Sequence, residues 1–235
     1  MTTSLQLDGA QPLTRTEWAH DLLRAAILRG DYGPGDPLVI STLSEEMGVS
    51  ASPLREALRN LASTGLVELH SHGKARIATV DLHEANEIYE LRLLIEPAAL
   101  ERAVHNADDG YRDRVERAWI DLSQAPVPPP SIHANFHRAL LSNCDSDWML
   151  KLSTMLADRA GLMISTSVEM QAPDYNSAET HQTLKELAIS GTAEAAANEL
   201  HRHLRGSISA IRRRFATAGS DSVASSTTSR RHDAT

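Results

Sequence analysis

Two sets of side chains in this sequence have the types and spacing to do chemistry. The first begins with His133 and His137. Spaced i, i+4, their imidazoles leave one face of a helix and can share a divalent metal. His181 and His203 fall within the last two long helical stretches, and they can join such a site if those helices pack antiparallel. The chain holds 11 histidines, and by spacing alone the plainer alternative stands first: unrelated polar or half-buried imidazoles. The second set lies between Gly48 and Leu61, where Leu54, Ala57, Leu58 and Leu61 form one stripe while Ser52, Arg55 and Arg59 occupy another face. A helix that buries leucines and turns serine and arginine outward suits a DNA major groove. An ordinary amphipathic helix with a solvated charged face shows the same pattern. A third candidate, Arg92, sits between Leu91 and Leu93, four residues before Glu96. Its guanidinium can take a ligand carboxylate in a two-pronged bond or pair internally with Glu96.

The elements that must position these residues follow from punctuation and periodicity. Ser50 can cap the serine–arginine helix, and Pro53 falls in its first turn, where a missing N–H costs least. A short helix over 41–48 precedes it, with Leu43 and Met47 inward, and ends at Gly48 in a tight turn. After Gly65, two short strands over 66–70 and 75–79 flank a turn at 71–74. His72 and Gly73 should form its tip, with Lys74 and Arg76 at the phosphate backbone. Upstream, Thr14 to Glu17 reads as a capping box opening a helix with Trp18, Leu22, Ala26 and Ile27 on one face. Three helices and a two-stranded basic hairpin make a winged helix-turn-helix.

From Asp81 the pattern is helical throughout. A long helix passes Ile88, Leu91, Leu94, Ile95, Ala98 and Ala99, with Pro97 expected to kink or break it. Further helices are expected over 111–122, 131–143, 147–170, 177–190 and 192–215, with a stiff proline connector over 126–130 and Gly191 parting the last two. Arg212, Arg213 and Arg214 read as cations complementing the end of the last helix. The expected fold is mainly α: a winged helix-turn-helix over 13–80, then an all-α antiparallel bundle over 81–215. A flexible arm over 1–12 and a disordered, Ser/Thr-rich tail over 216–235 complete the chain.

Composition narrows the functional classes. Across 235 residues the net charge is −8, so DNA binding must depend on a local basic patch rather than a broadly basic surface. The single cysteine, Cys144, excludes an intramolecular disulfide and fits a reducing compartment. No apolar run approaches a membrane span, and the first residues lack a signal-peptide layout, so a cytoplasmic protein with no membrane partner is expected.

Several strings also carry a family resemblance. Gly33-x-Gly35-x-x-Leu38, Gly48-Val49-Ser50, Pro53-Leu54-Arg55-Glu56-Ala57-Leu58 and Gly65-Leu66-Val67 closely resemble the amino-terminal domain of GntR-type transcription regulators. The all-α part resembles the ligand-binding domain of the FadR branch, through the string from Glu90 to Glu96, Phe136-His137-Arg138-Ala139-Leu140, His181 and His203-Leu204. The resemblance implies a dimeric, ligand-responsive regulator, a repressor in most relatives, on a palindromic operator. Ser50, Ser52, Arg55 and Arg59 would then meet DNA, with His72, Gly73, Lys74 and Arg76 from the wing. It also implies a divalent metal in the bundle, held in many relatives by one aspartate and three histidines. The matching positions here are His133, His137, His181 and His203, so histidine stands where the usual aspartate would be. Four neutral imidazoles suit Zn²⁺, or Ni²⁺, better than Mg²⁺ or Ca²⁺. The implied effector is a small carboxylate or sugar acid, with Arg92 and Arg159 as its anchors. Two alternatives are a regulator that senses the metal itself and a zinc-dependent hydrolase fused to a DNA-binding domain. The second is disfavoured because no His-Glu-x-x-His or similar catalytic spacing occurs, and no enzyme is expected.

Overall fold

The structure is a computed structural model that describes residues 13–71, 74–124, 130–165 and 178–228. The chain divides into two compact units, one ending at Thr79 and the other beginning at Val80. The calls for a flexible arm over 1–12 and for the wing tip at His72 and Gly73 lie outside the described residues.

In the first unit, helix α1 (Arg15–Arg29) opens on the expected capping box. The Glu17 N–H donates to Thr14 Oγ1 at 3.2 Å, and the Thr14 N–H donates to Glu17 Oε2 at 2.8 Å. The expected inward face is shifted. Ala19, Leu23, Ile27 and Leu28 are buried, whereas Trp18 and Leu22 are each 40% exposed. Apolar periodicity locates a stripe but not which edge of it meets α3, and large apolar side chains at the flank remain in water. Helices α2 (Ile40–Met47) and α3 (Ala51–Ser63) are joined through Gly48, whose left-handed φ of 62° makes the turn. Leu54, Ala57, Leu58 and Leu61 of α3 are buried, as their spacing requires.

The sheet has three strands rather than two: β1 (Pro37–Leu38), β2 (Val67–His70) and β3 (Lys74–Ile77), in the order β1-β3-β2 and antiparallel throughout. Val67 pairs with Ile77 and His70 with Lys74, while Pro37 pairs with Arg76. Two residues starting with proline show no alternation, which is why β1 escapes a reading by pattern; at a sheet edge the missing N–H is tolerated.

The second unit is all helical among the described residues. Helix α4 (Leu82–His105) is capped by Asp81, whose carboxylate accepts from the Glu84 N–H at 2.8 Å. It continues unbroken through Pro97. One lost backbone bond is outweighed by packing, since α4 lies against α9, α7 and α6. The others are α5 (Asp109–Gln124), α6 (Pro130–Leu141), α7 (Asp147–Ser165), α8 (Ala178–Ser190) and α9 (Ala193–Thr228). Tyr89, Leu100, Tyr111, Phe136 and Leu140 are among the fully buried side chains, and the Tyr111 hydroxyl donates to the Leu140 carbonyl at 2.9 Å, tying α5 to α6.

The C-terminus departs from expectation. Helix α9 does not stop at Phe215 but runs to Thr228, so 216–228 is helix rather than disordered tail. A lack of large apolar residues removes packing, not backbone hydrogen bonds, and this stretch contains alanines and no proline. Arg212 is therefore not at a helix end; its Nε donates to Asn86 Oδ1 on α4 at 2.7 Å. Among the described residues, no helix is long and apolar enough to cross a membrane.

Candidate metal centre, cavity and nucleic-acid interface

Three helices bring the four histidines to one point. His133 and His137 leave the same face of α6, His181 stands in the first turn of α8, and His203 lies within α9. The link between α8 and α9 is short because Gly191 carries no side chain. A Cβ there would lie 2.7 Å from the Leu187 carbonyl oxygen. One nitrogen from each of the four imidazoles falls within 4.8 Å of all the others. His181 Nε2 is 3.0 Å from His133 Nε2 and 3.3 Å from His137 Nε2. The His137 and His203 rings stack at 5.1 Å, and Phe136 walls the cluster, its ring 5.7 Å from both His137 and His181.

This donor set fits a divalent ion. Four imidazoles around zinc at about 2.0–2.1 Å place their nitrogens about 3.3 Å apart, close to the spacings of His181. A single proton on His181 Nε2 can serve only one of its two imidazole contacts, whereas a cation serves all four rings. Burial holds His137 and His203 well below the ordinary histidine range, and the neighbouring imidazoles and Arg92 push in the same direction. Both rings are thus neutral near pH 7, as metal ligands must be.

Beside His137 lies a small cavity of about 30 Å³, lined by Arg92, Glu96, Arg138, Ser153 and Asp158 among others. Arg92 is held inside α4: its Nε donates to Glu96 Oε1 at 2.6 Å and its Nη2 to Glu96 Oε2 at 3.2 Å, with both residues buried. The internal pair is therefore formed, and Arg92 is also among the residues lining the cavity. Its Cζ also lies over the Tyr89 ring, 4.9 Å from the centroid. Arg159 does not line this cavity. Its Nε and Nη2 bind Glu84 at 2.6 and 2.9 Å, fastening α7 to the start of α4. Neither Ser153 nor Asp158 stands out in the sequence, because no motif marks them; only the approach of α7 to α4 and α6 brings them to the cavity.

In the first unit, Ser52, Arg55 and Arg59 are exposed on the outer face of α3. Ser50 is the N-cap residue but makes no side-chain capping bond. Arg59 makes only a long 3.5 Å contact with Glu56. Lys74 is exposed at the start of β3, and Arg76, though exposed, donates to the Gly35 carbonyl at 2.9 Å. Arg76 thus also secures the turn before β1.

Residues 16–77 match the family described as "Bacterial regulatory proteins, gntR family", and residues 87–206 match the FCD domain. The HTH-type transcriptional regulator BphR of Paraburkholderia xenovorans is 27% identical over 81% of this chain and 82% of its own. The HTH-type transcriptional repressor GlaR of Escherichia coli is 25% identical over 83% of this chain and 94% of its own. Among solved structures, E. coli McbR/YncC superposes with a TM-score of 0.76 at 20% identity, covering 87% of this chain and 100% of that one, a likeness of fold.

Proposed function

Because the chain belongs to the GntR family of bacterial regulatory proteins, a DNA-binding transcriptional regulator with an FCD domain behind its winged helix, we propose that a divalent metal and a small carboxylate in the helical unit together set its hold on DNA. The observation that carries this reading is the four-imidazole cluster opening beside a cavity lined by Arg92 and Arg138. His133, His137, His181 and His203 would hold the ion, zinc or nickel by the softness of the donors. Bound there, the ion would supply a Lewis-acid position for a ligand oxygen.

The chain's own residues do the rest. Glu96 holds the Arg92 guanidinium at the cavity edge, so little side-chain entropy is lost when an anion arrives. Arg92 lies on α4, the helix that follows the wing in the chain. A ligand that draws on Arg92 therefore acts on the segment leading directly to the DNA-binding unit. The protein works as a homodimer on a palindromic operator, as a repressor released by its effector, with Ser52, Arg55 and Arg59 in the major groove. Arg159, fixed on Glu84, has no part in the cavity.

The test is elemental analysis of untagged protein, followed by operator binding with chelator, with zinc or nickel restored, and with small carboxylates added. Stoichiometric metal and operator release only by metal plus acid support the reading. Release by metal alone makes the protein a metal sensor. Protein without metal, indifferent to chelator and to His137→Ala, removes the metal from the scheme.

A further inference from the structure

The outer edge of α9 carries charge that its own unit does not balance. Five arginines and no aspartate or glutamate lie between Leu200 and Ser220, in a chain whose net charge is −8. Because α9 runs to Thr228, the dipole of a helix end does not account for them. Arg202, Arg205, Arg212 and Arg213 are all exposed. Arg202 is held by Glu199 at 2.6 Å, and Arg212 donates to the uncharged amide of Asn86 at 2.7 Å. The guanidinium groups of Arg205 and Arg213 have no partner among the described residues. Other arginines of this unit are fixed: Arg92 on Glu96, Arg114 on Asn143, Arg138 on Asn135 and Arg159 on Glu84. Gly206 and Ser209 fall between Arg202 and Arg213 on one line of the helix. A Cβ at Gly206 would meet nothing within 4 Å among the described residues, so packing there does not call for glycine. An exposed glycine inside a helix costs about 1 kcal/mol relative to alanine. What it provides is a low floor between the arginines, where a partner's backbone can come close.

We propose that this ridge of α9 is a second DNA contact, in which Arg205, Arg212 and Arg213 bind phosphate oxygens of the duplex backbone. The inference is independent of the metal and the carboxylate proposed above. From Arg205 to Arg212 the helix advances by about 10 Å, so no single small anion spans the ridge, whereas a repeating polyanion does. A duplex offers one phosphate about every 3.4 Å along each strand. The order of the chain favours DNA over an acidic protein segment. Asn86, which holds Arg212, lies in the second turn of α4, and α4 starts at Leu82, just after the DNA-binding unit ends at Thr79. A guanidinium is charged at any physiological pH and forks onto two phosphate oxygens. Contacts of this kind read no sequence; they add affinity and salt dependence, and in an acidic chain they offset repulsion from the duplex.

The experiment is fluorescence anisotropy of the full-length protein on a labelled duplex of arbitrary sequence, at salt from about 50 to about 200 mM. Each lost phosphate contact lowers the slope of log K against log salt by about 0.9. The double variant Arg205→Ala/Arg213→Ala should therefore lower it by about 1.8 and weaken binding roughly tenfold at the upper concentration. Arg205→Lys/Arg213→Lys should keep most of both, since the charge remains. Gly206→Glu puts a carboxylate on the floor of the ridge and should weaken binding, yet melt no lower than the wild type because it replaces a poor helix former. The alanine variant should also melt with the wild type, as the side chains it removes have no partner; this separates lost contact from lost folding. An unchanged slope in the alanine variant, a loss that the lysine variant shares, or a wild type that does not hold the duplex at the lowest salt overturns the proposal. If the alanine variant keeps its DNA binding but loses the wild type's retention on immobilised polyglutamate, the ridge serves an acidic protein segment and the proposal falls.

Discussion

Replacing Glu96 by glutamine separates the two roles of Arg92, as partner of Glu96 and as wall of the cavity. The side chains of Arg92 and Glu96 are 8% and 2% exposed, with contacts of 2.6 and 3.2 Å. Removing one charge from a buried pair costs about 3–5 kcal/mol in general, because the remaining charge loses that partner's compensation. Glutamine keeps the volume and one carbonyl acceptor, so the loss should fall near the lower end, about 3 kcal/mol. For a unit of this size that lowers the melting temperature by about 6–12 °C. The measurement is urea unfolding of the full-length protein followed by far-UV circular dichroism, with Arg92→Met and the double variant Arg92→Met/Glu96→Leu alongside. The double variant should recover most of the loss, since apolar side chains of similar volume replace buried ion pairs at little cost. If Glu96→Gln loses less than about 1 kcal/mol, the range of an exposed pair, the pair is not dry and the reasoning from its burial fails. If the double variant is no better than the singles, the stabilisation comes from packing and not from charge.

Three other outcomes are expected. Metal-free protein should lose stability as pH falls. Burial keeps the folded-state proton affinity of His137 and His203 below the ordinary value of 6.5, so below about pH 6.5 the unfolded chain binds more protons. Each histidine then costs up to about 1.4 kcal/mol per pH unit, and the effect is absent above pH 7; urea midpoints of wild type and His137→Gln from pH 5 to 8 check the sign. Arg55→Ala, exposed on α3, should weaken operator binding by about 1–3 kcal/mol if it reads a base edge, or uniformly over all sequences with a shallower salt slope if it touches phosphate; gel-shift titration at several salt concentrations distinguishes these. Gly191→Ala pushes a methyl against the Leu187 backbone and should cost about 1–3 kcal/mol, with weaker metal retention as His181 and His203 part, read by calorimetric melting and competition with a chelator.

The divide between what the sequence determined and what the tertiary structure decided follows the range of the interactions. The winged unit was legible because its signals are local: the Thr14–Glu17 capping box, the α3 leucine stripe, the glycine between α2 and α3. Each is set by neighbours within a turn or two, so the chain itself carries the information. The pairing of Arg92 with Glu96 was also open to reading, being i, i+4 on one helix. Its competition with a ligand was not, because burial decides it. The i, i+4 pair His133 and His137 pointed to a shared face, yet only the packing of α6, α8 and α9 brings His181 and His203 within reach. Folding decided more elsewhere: Trp18 stays exposed, α4 carries Pro97 unbroken, Arg159 is bound to Glu84, and Ser153 lines a cavity. Helix periodicity specifies a face to within a residue or so, but a cavity is made by three helices meeting, and side chains far apart in sequence line it only after the core has closed.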